Sequence, residues 1–234
     1  MASISLTDPE EIQIEIGPEL GHVAALLVHP PDAWLLYVLA HGAGAGMRHR
    51  FLESISEALA ARGVAILRYQ FPYMEAGRRR PDSPAVAEAT VRAAVERAAQ
   101  SVPQLPIIAG GKSFGGRMTS GAAAKSLPGV RGLAFLGFPL HPPGRPDTSR
   151  AAHLDSVEVP MLFLQGTRDQ FARLDLITEV CGRLGSRAKL HLVDGADHSF
   201  GVPKSSGRTS ASVIAELADK LVEWGRSDVA GRAR

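Results

Sequence analysis

The rhythm of apolar and polar residues changes as the chain proceeds. Glu11-Ile12-Gln13-Ile14-Glu15-Ile16 alternates strictly, as a strand with one buried face does, and Gly17-Pro18 through Gly21 turns the chain into an apolar run over 23–28. The two runs predict an antiparallel pair at a sheet edge. Six short, wholly apolar runs follow, at 35–40, 64–67, 107–110, 133–136, 161–164 and 190–193. Runs without alternation predict strands buried on both faces, which is the condition of a parallel sheet covered by helices. Between them, residues 51–62, 86–101, 114–126, 174–184 and 212–224 carry apolar positions three or four apart and predict crossover helices. No repeat, low-complexity stretch or long linker divides the chain. Residues 1–234 are therefore expected to form one α/β domain around an open, doubly wound sheet, with the proline-rich segment 138–146 as a loop.

Composition narrows the classes of function. Apolar residues make up 45% and charged residues 21%, enough for a sizeable core and too apolar for an intrinsically disordered chain. Lysine and arginine number 26 against 24 acidic residues, so no charge excess points to nucleic acid as a partner. The single cysteine, Cys181, has no intramolecular disulfide partner. Residues 1–17 carry acidic groups where a signal peptide would need an apolar core. His29, Pro30, Pro31, Asp32 and His41 interrupt the longest apolar tract short of the roughly 20 residues of a membrane helix. A soluble, cytoplasmic protein with no membrane partner is expected.

In doubly wound sheets, ligands lie beyond the carboxyl ends of the parallel strands, so the loops there carry the candidate chemistry. After the run ending at Gly110 comes Gly111-Lys112-Ser113-Phe114-Gly115-Gly116, a G-x-S-x-G sequence between strand and helix, the setting of a nucleophile elbow. The same residues end like a phosphate-binding loop, but that motif needs a glycine where Pro106 stands. His41-Gly42-Ala43-Gly44-Ala45-Gly46 follows the run at 35–40 and suits an oxyanion hole, because small side chains leave backbone amides free to point inward. The expected donors are the Phe114 N–H and the Ala43 N–H, with Gly44 as the fallback.

Asp169 follows the run at 161–164 and His198 the run at 190–193. The order Ser113, Asp169, His198 is that of an α/β-hydrolase triad, and all three fall in loops at one sheet edge. The other seven histidines lie in strands, near helices or in other loops. Asp194 and Asp197 are rivals for the acid, but Asp197 adjoins the base and is poorly placed to reach its far nitrogen. No H-E-x-x-H or cysteine–histidine cluster is present, so neither a metal nor a cofactor is expected.

Together with Arg68-Tyr69-Gln70-Phe71-Pro72-Tyr73-Met74, Arg78-Arg79-Arg80-Pro81, Gly137-Phe138-Pro139-Leu140-His141-Pro142-Pro143 and Gln165-Gly166-Thr167-Arg168-Asp169, these segments resemble the α/β-hydrolase superfamily. The resemblance is to its small dienelactone-hydrolase-like and testis-expressed-protein-30-like branch, and it covers nearly the whole chain. It implies a mostly parallel eight-stranded sheet and a serine triad of Ser113, Asp169 and His198. Dienelactone hydrolases use a cysteine nucleophile, whereas this chain has Ser113, with Cys181 in a predicted helix. The expected activity is hydrolysis of a small carboxylic ester or related acyl compound. The alternative is a non-catalytic binding or scaffold module that keeps the fold. The 21 residues of 137–157, four of them prolines, are too few for a large helical lid. Arg78, Arg79, Arg80, Arg145 and Arg150 also lie in loops at the carboxyl-end edge. They read either as solvated surface or as partners for an anionic group on the substrate.

Overall fold

The computed structural model describes residues 9–232. Residues 1–8, on which part of the leader reading rests, and the last two residues of the expected domain lie outside the described residues. Eight strands form one sheet: β1 (Glu10–Gly17), β2 (Gly21–Val28), β3 (Leu35–Ala40), β4 (Val64–Tyr69), β5 (Ile107–Lys112), β6 (Val130–Leu136), β7 (Met161–Gly166) and β8 (Ala188–Val193). Their spatial order is β1-β2-β4-β3-β5-β6-β7-β8. β2 pairs antiparallel with both β1 and β4, and every other pairing is parallel, so β2 alone runs against the rest.

The helices are α1 (Arg50–Ala60), α2 (Pro72–Glu75), α3 (Pro84–Ser101), α4 (Phe114–Lys125), α5 (Leu174–Leu184) and α6 (Ser210–Trp224). The period of two along each strand sends its side chains alternately into two cores. In β3, Leu36, Val38 and Ala40 join the core under α3, α4 and α5, while Leu35, Tyr37 and Leu39 join the core under α1 and α6. Leu52, Ile55 and Leu59 on one stripe of α1 are almost wholly buried, each worth about 2 kcal/mol relative to exposure.

Several boundaries differ from the sequence expectation for physical reasons. β4 runs past Leu67 to Tyr69 because the Arg68 guanidinium is buried and donates to the Met47 carbonyl at 3.0 Å. β5 likewise extends to Lys112. α6 begins at Ser210 rather than 212, closed by a reciprocal capping box between Thr209 and Ser212. α2 has only four residues, too few to show a helical period. Between β6 and β7 the chain forms only a 3₁₀ turn, Ser149–Ser156, and no separate lid domain. No helix among the described residues is long and apolar enough to cross a membrane.

Candidate active site

β5 lies inside the sheet between β3 and β6, and its carboxyl end delivers Ser113 directly to the start of α4. The Ser113 backbone sits at φ 49° and ψ −113°, a conformation that costs a non-glycine residue roughly 1–3 kcal/mol. Its N–H donates to the Leu136 carbonyl and its own carbonyl accepts from the Arg117 N–H, so sheet and helix hold the strain in place. The crowding explains the glycines around it. A Cβ on Gly115 would lie 2.6 Å from both the Ala40 Cβ and the His41 carbonyl oxygen.

The structure brings together the three residues selected from the sequence. His198 Nε2 lies 2.8 Å from Ser113 Oγ, and His198 Nδ1 lies 2.7 Å from Asp169 Oδ2. With Asp169 ionised, Nδ1–H donates to the carboxylate and Nε2 accepts the serine hydroxyl. The Asp169 side chain is fully buried, and it also accepts from Gln165 Nε2 at 2.5 Å and from the Phe171 N–H at 2.8 Å. The Phe171 ring lies over the imidazole, with centroids 4.4 Å apart.

Neither rival carboxylate touches His198 Nδ1, which bonds Asp169. Asp197 Oδ1 accepts the N–H groups of Ser199 and Gly201, which closes the turn that carries His198. Asp194 is exposed, and Arg208 bonds its backbone carbonyl rather than its side chain.

The 41–46 loop lies against the serine: a Cβ on Gly42 would come within 3.8 Å of the Ser113 Cβ. His41 anchors this loop. Its Nε2 accepts the Phe71 N–H at 3.1 Å, which leaves Nδ1–H to donate to the Gly42 carbonyl at 2.8 Å. Burial pushes this imidazole down to about 4, so it is neutral at physiological pH. Phe114 is the first residue of α4, where the backbone N–H has no acceptor within the helix. The Gly44 N–H donates to the Tyr73 hydroxyl at 2.9 Å, which removes Gly44 as the fallback donor.

Lys112 carries no catalytic signal in the sequence and belongs there only to a phosphate-loop pattern that Pro106 breaks. Its Nζ donates to the His198 carbonyl at 2.5 Å and sits 5.4 Å from the centre of the Phe200 ring. Burial lowers this amine from 10.5 to about 8, against the opposing pull of Asp169 and Asp197. Phe200 has φ 63° and stacks on Phe51 of α1 at 5.5 Å, so Lys112 fastens the His198 loop to the end of β5 and Phe200 fastens it to α1. A cation that closes an apolar strand was the available signal. Gln165 and Phe171 gave none, because only the folded chain shows what they touch. Among the arginines, Arg78 pairs with Asp82 at 3.0 Å, while Arg79, Arg80 and Arg145 are exposed. Among the described residues, no cluster of three or more His, Cys, Asp or Glu side chains is placed to hold a metal.

Eight strands in this order, one reversed, with helices on both faces and an elbow after the fifth, define the α/β-hydrolase fold. A family model described as alpha/beta hydrolase domain matches residues 33–226, and the chain belongs to that family. It resembles the structure of a Xanthomonas campestris α/β serine hydrolase without a lid, with TM-score 0.72, 19% identity, and 97% of this chain and 98% of that one covered. It also resembles a dienelactone hydrolase from Anabaena variabilis, with TM-score 0.73, 19% identity, and 95% and 99% covered. A Mycobacterium tuberculosis protein provisionally named a phosphoribosyl transferase is 30% identical over 198 residues. That match takes in 83% of this chain but only 42% of the relative's length.

Proposed function

We propose that the protein is a serine hydrolase that cleaves a small carboxylic ester or related acyl compound. The observation that carries this reading is the unbroken hydrogen-bond chain from buried Asp169 through His198 to Ser113 on a strained elbow. In this mechanism His198 Nε2 takes the proton from Ser113 Oγ as the oxygen attacks the acyl carbon. Asp169 remains ionised, holds the imidazole tautomer and stabilises the imidazolium. The Phe114 and Ala43 N–H groups receive the developing oxyanion, each worth about 3 to 4 kcal/mol of barrier. His198 then gives its proton to the leaving oxygen, which leaves an acyl group on Ser113. Water attacks that ester with His198 as base, the carboxylic acid departs, and Ser113 regains its proton. Lys112 takes no part in these proton transfers and holds the His198 loop.

A fluorophosphonate probe tests the reading. Labelling of the wild-type protein that vanishes in Ser113→Ala, with hydrolysis of short esters vanishing alongside it, is the expected result. Folded protein that is neither labelled nor active on an ester series would overturn it in favour of a scaffold role.

A further inference from the structure

A second cluster of charge lies on the flank of α4, outside the residues used above. Arg117 is one helical turn beyond Ser113, about 6 Å along the axis. It lines a cleft of about 400 Å³ with Glu88 of α3, Lys125 near the end of α4, and Arg150 and His153 of the 149–156 turn. Most of these groups already have partners. Glu88 accepts from Lys125 Nζ at 2.6 Å. Ser120 Oγ donates to the Arg117 carbonyl and lies 2.7 Å from His153 Nε2, which therefore donates to it.

The two guanidinium groups are the exception. Arg117 and Arg150 are both half-buried, and neither side chain has a hydrogen bond or ion pair among the described residues. Burial, and after it the nearby Arg150 charge, pushes Arg117 below its usual range. The one carboxylate in the cleft is spent on Lys125. Two like charges held together without a counter-charge destabilise the fold. A bound anion would reverse the sign of that cost.

We propose that this cleft is an oxyanion-binding site, with the Arg117 and Arg150 side chains as its ligands for a carboxylate or phosphate group. A guanidinium presents a planar fork of donors that matches either group in pairs, which an ammonium does not. The volume suits a small molecule rather than a lone ion. The group has two possible sources, an acidic end of the acyl substrate or a separate small anion. Binding itself does not depend on the hydrolase reading.

Calorimetric titration with inorganic phosphate and with succinate, at fixed ionic strength in chloride, tests the site. The expected result is saturable binding to wild-type protein that weakens at least tenfold in Arg117→Gln and in Arg150→Gln. Exposed Arg131 on β6 is the control, and Arg131→Gln should bind as wild type does. Without anion, both cleft variants should melt at or above the wild-type temperature, because the repulsion has been removed. No saturable binding of either anion, or undiminished binding by Arg117→Gln, would overturn the proposal. Kinetics on ethyl butyrate and monoethyl succinate separate the sources. A KM raised by Arg117→Gln for the acidic ester alone identifies the group as part of the substrate. Equal effects on the two esters, with anion binding lost, identify a separate ligand. A protein that binds anion but cleaves no ester would contradict the hydrolase reading and leave the site standing.

Discussion

Replacing Lys112 with methionine keeps an unbranched side chain of similar length and removes the charge. The amine is held at about 8 rather than 10.5, chiefly because burial strips its water. The folded protein therefore releases this proton at lower pH than the unfolded chain does. Between about pH 8 and 10.5 the unfolded chain holds the extra proton, so this contribution to stability rises with pH across that window. Below pH 8 the unfavourable contribution is fully present. At about 1.4 kcal/mol per pH unit, the wild-type protein should gain roughly 2 to 3 kcal/mol relative to Lys112→Met between pH 7 and pH 10. Both proteins share every other titrating group, so the difference isolates Lys112. Urea unfolding of the pair at intervals of one pH unit measures it. A difference that stays flat from pH 7 to 10 would refute the reasoning, because it would mean that the amine keeps contact with bulk water. At pH 7 the variant should also lose about tenfold in kcat on a short ester, since the His198 carbonyl loses its charged donor.

Four further outcomes follow from the geometry. Asp169→Asn should lower kcat on the order of 10⁴-fold by favouring the wrong histidine tautomer, whereas Asp197→Asn should cost less than tenfold; the reverse order in steady-state kinetics would transfer the acid role. Acetate or butyrate esters should exceed palmitate esters in kcat/KM, with no rise in rate above the micellar threshold, because the 3₁₀ turn at 149–156 cannot roof a chain that gains about 0.8 kcal/mol per buried methylene. Gly110→Ala should fail to fold stably, since its Cβ would lie 1.8 Å from the Ala134 carbonyl oxygen. Gly182→Ala in α5 meets nothing within 4 Å and should add about 0.5 to 1 kcal/mol in thermal denaturation.

The strands were legible because burial on both faces leaves runs with no polar break, and the five longer helices because one apolar stripe repeats. Where a charged residue is buried at a strand end, that signal stops early. Arg68 and Lys112 both end their runs in the sequence, yet both sit in strands with backbone carbonyls as acceptors. Ser113, Asp169 and His198 could be selected because chain order and position after a strand are properties of the sequence. Which of Ala43 and Gly44 keeps a free N–H could not be read, since it depends on the Tyr73 hydroxyl, 29 residues from Gly44. Arg117 and Arg150 lie on separate elements, and nothing local announces that they share a cleft.

Ser113 stands at the centre of the sheet, whereas His198 hangs from β8, the last strand, where Leu190 is half-buried and Leu192 exposed. The nucleophile and its base thus belong to regions with unequal resistance to opening. Warming that frays the outer strand would part the base from the serine while both cores remain packed. Reactivity would then fade below the melting temperature and return on cooling. The Lys112 and Phe200 contacts set the width of that interval, because they tie the loop after an edge strand to the end of an inner strand and to α1.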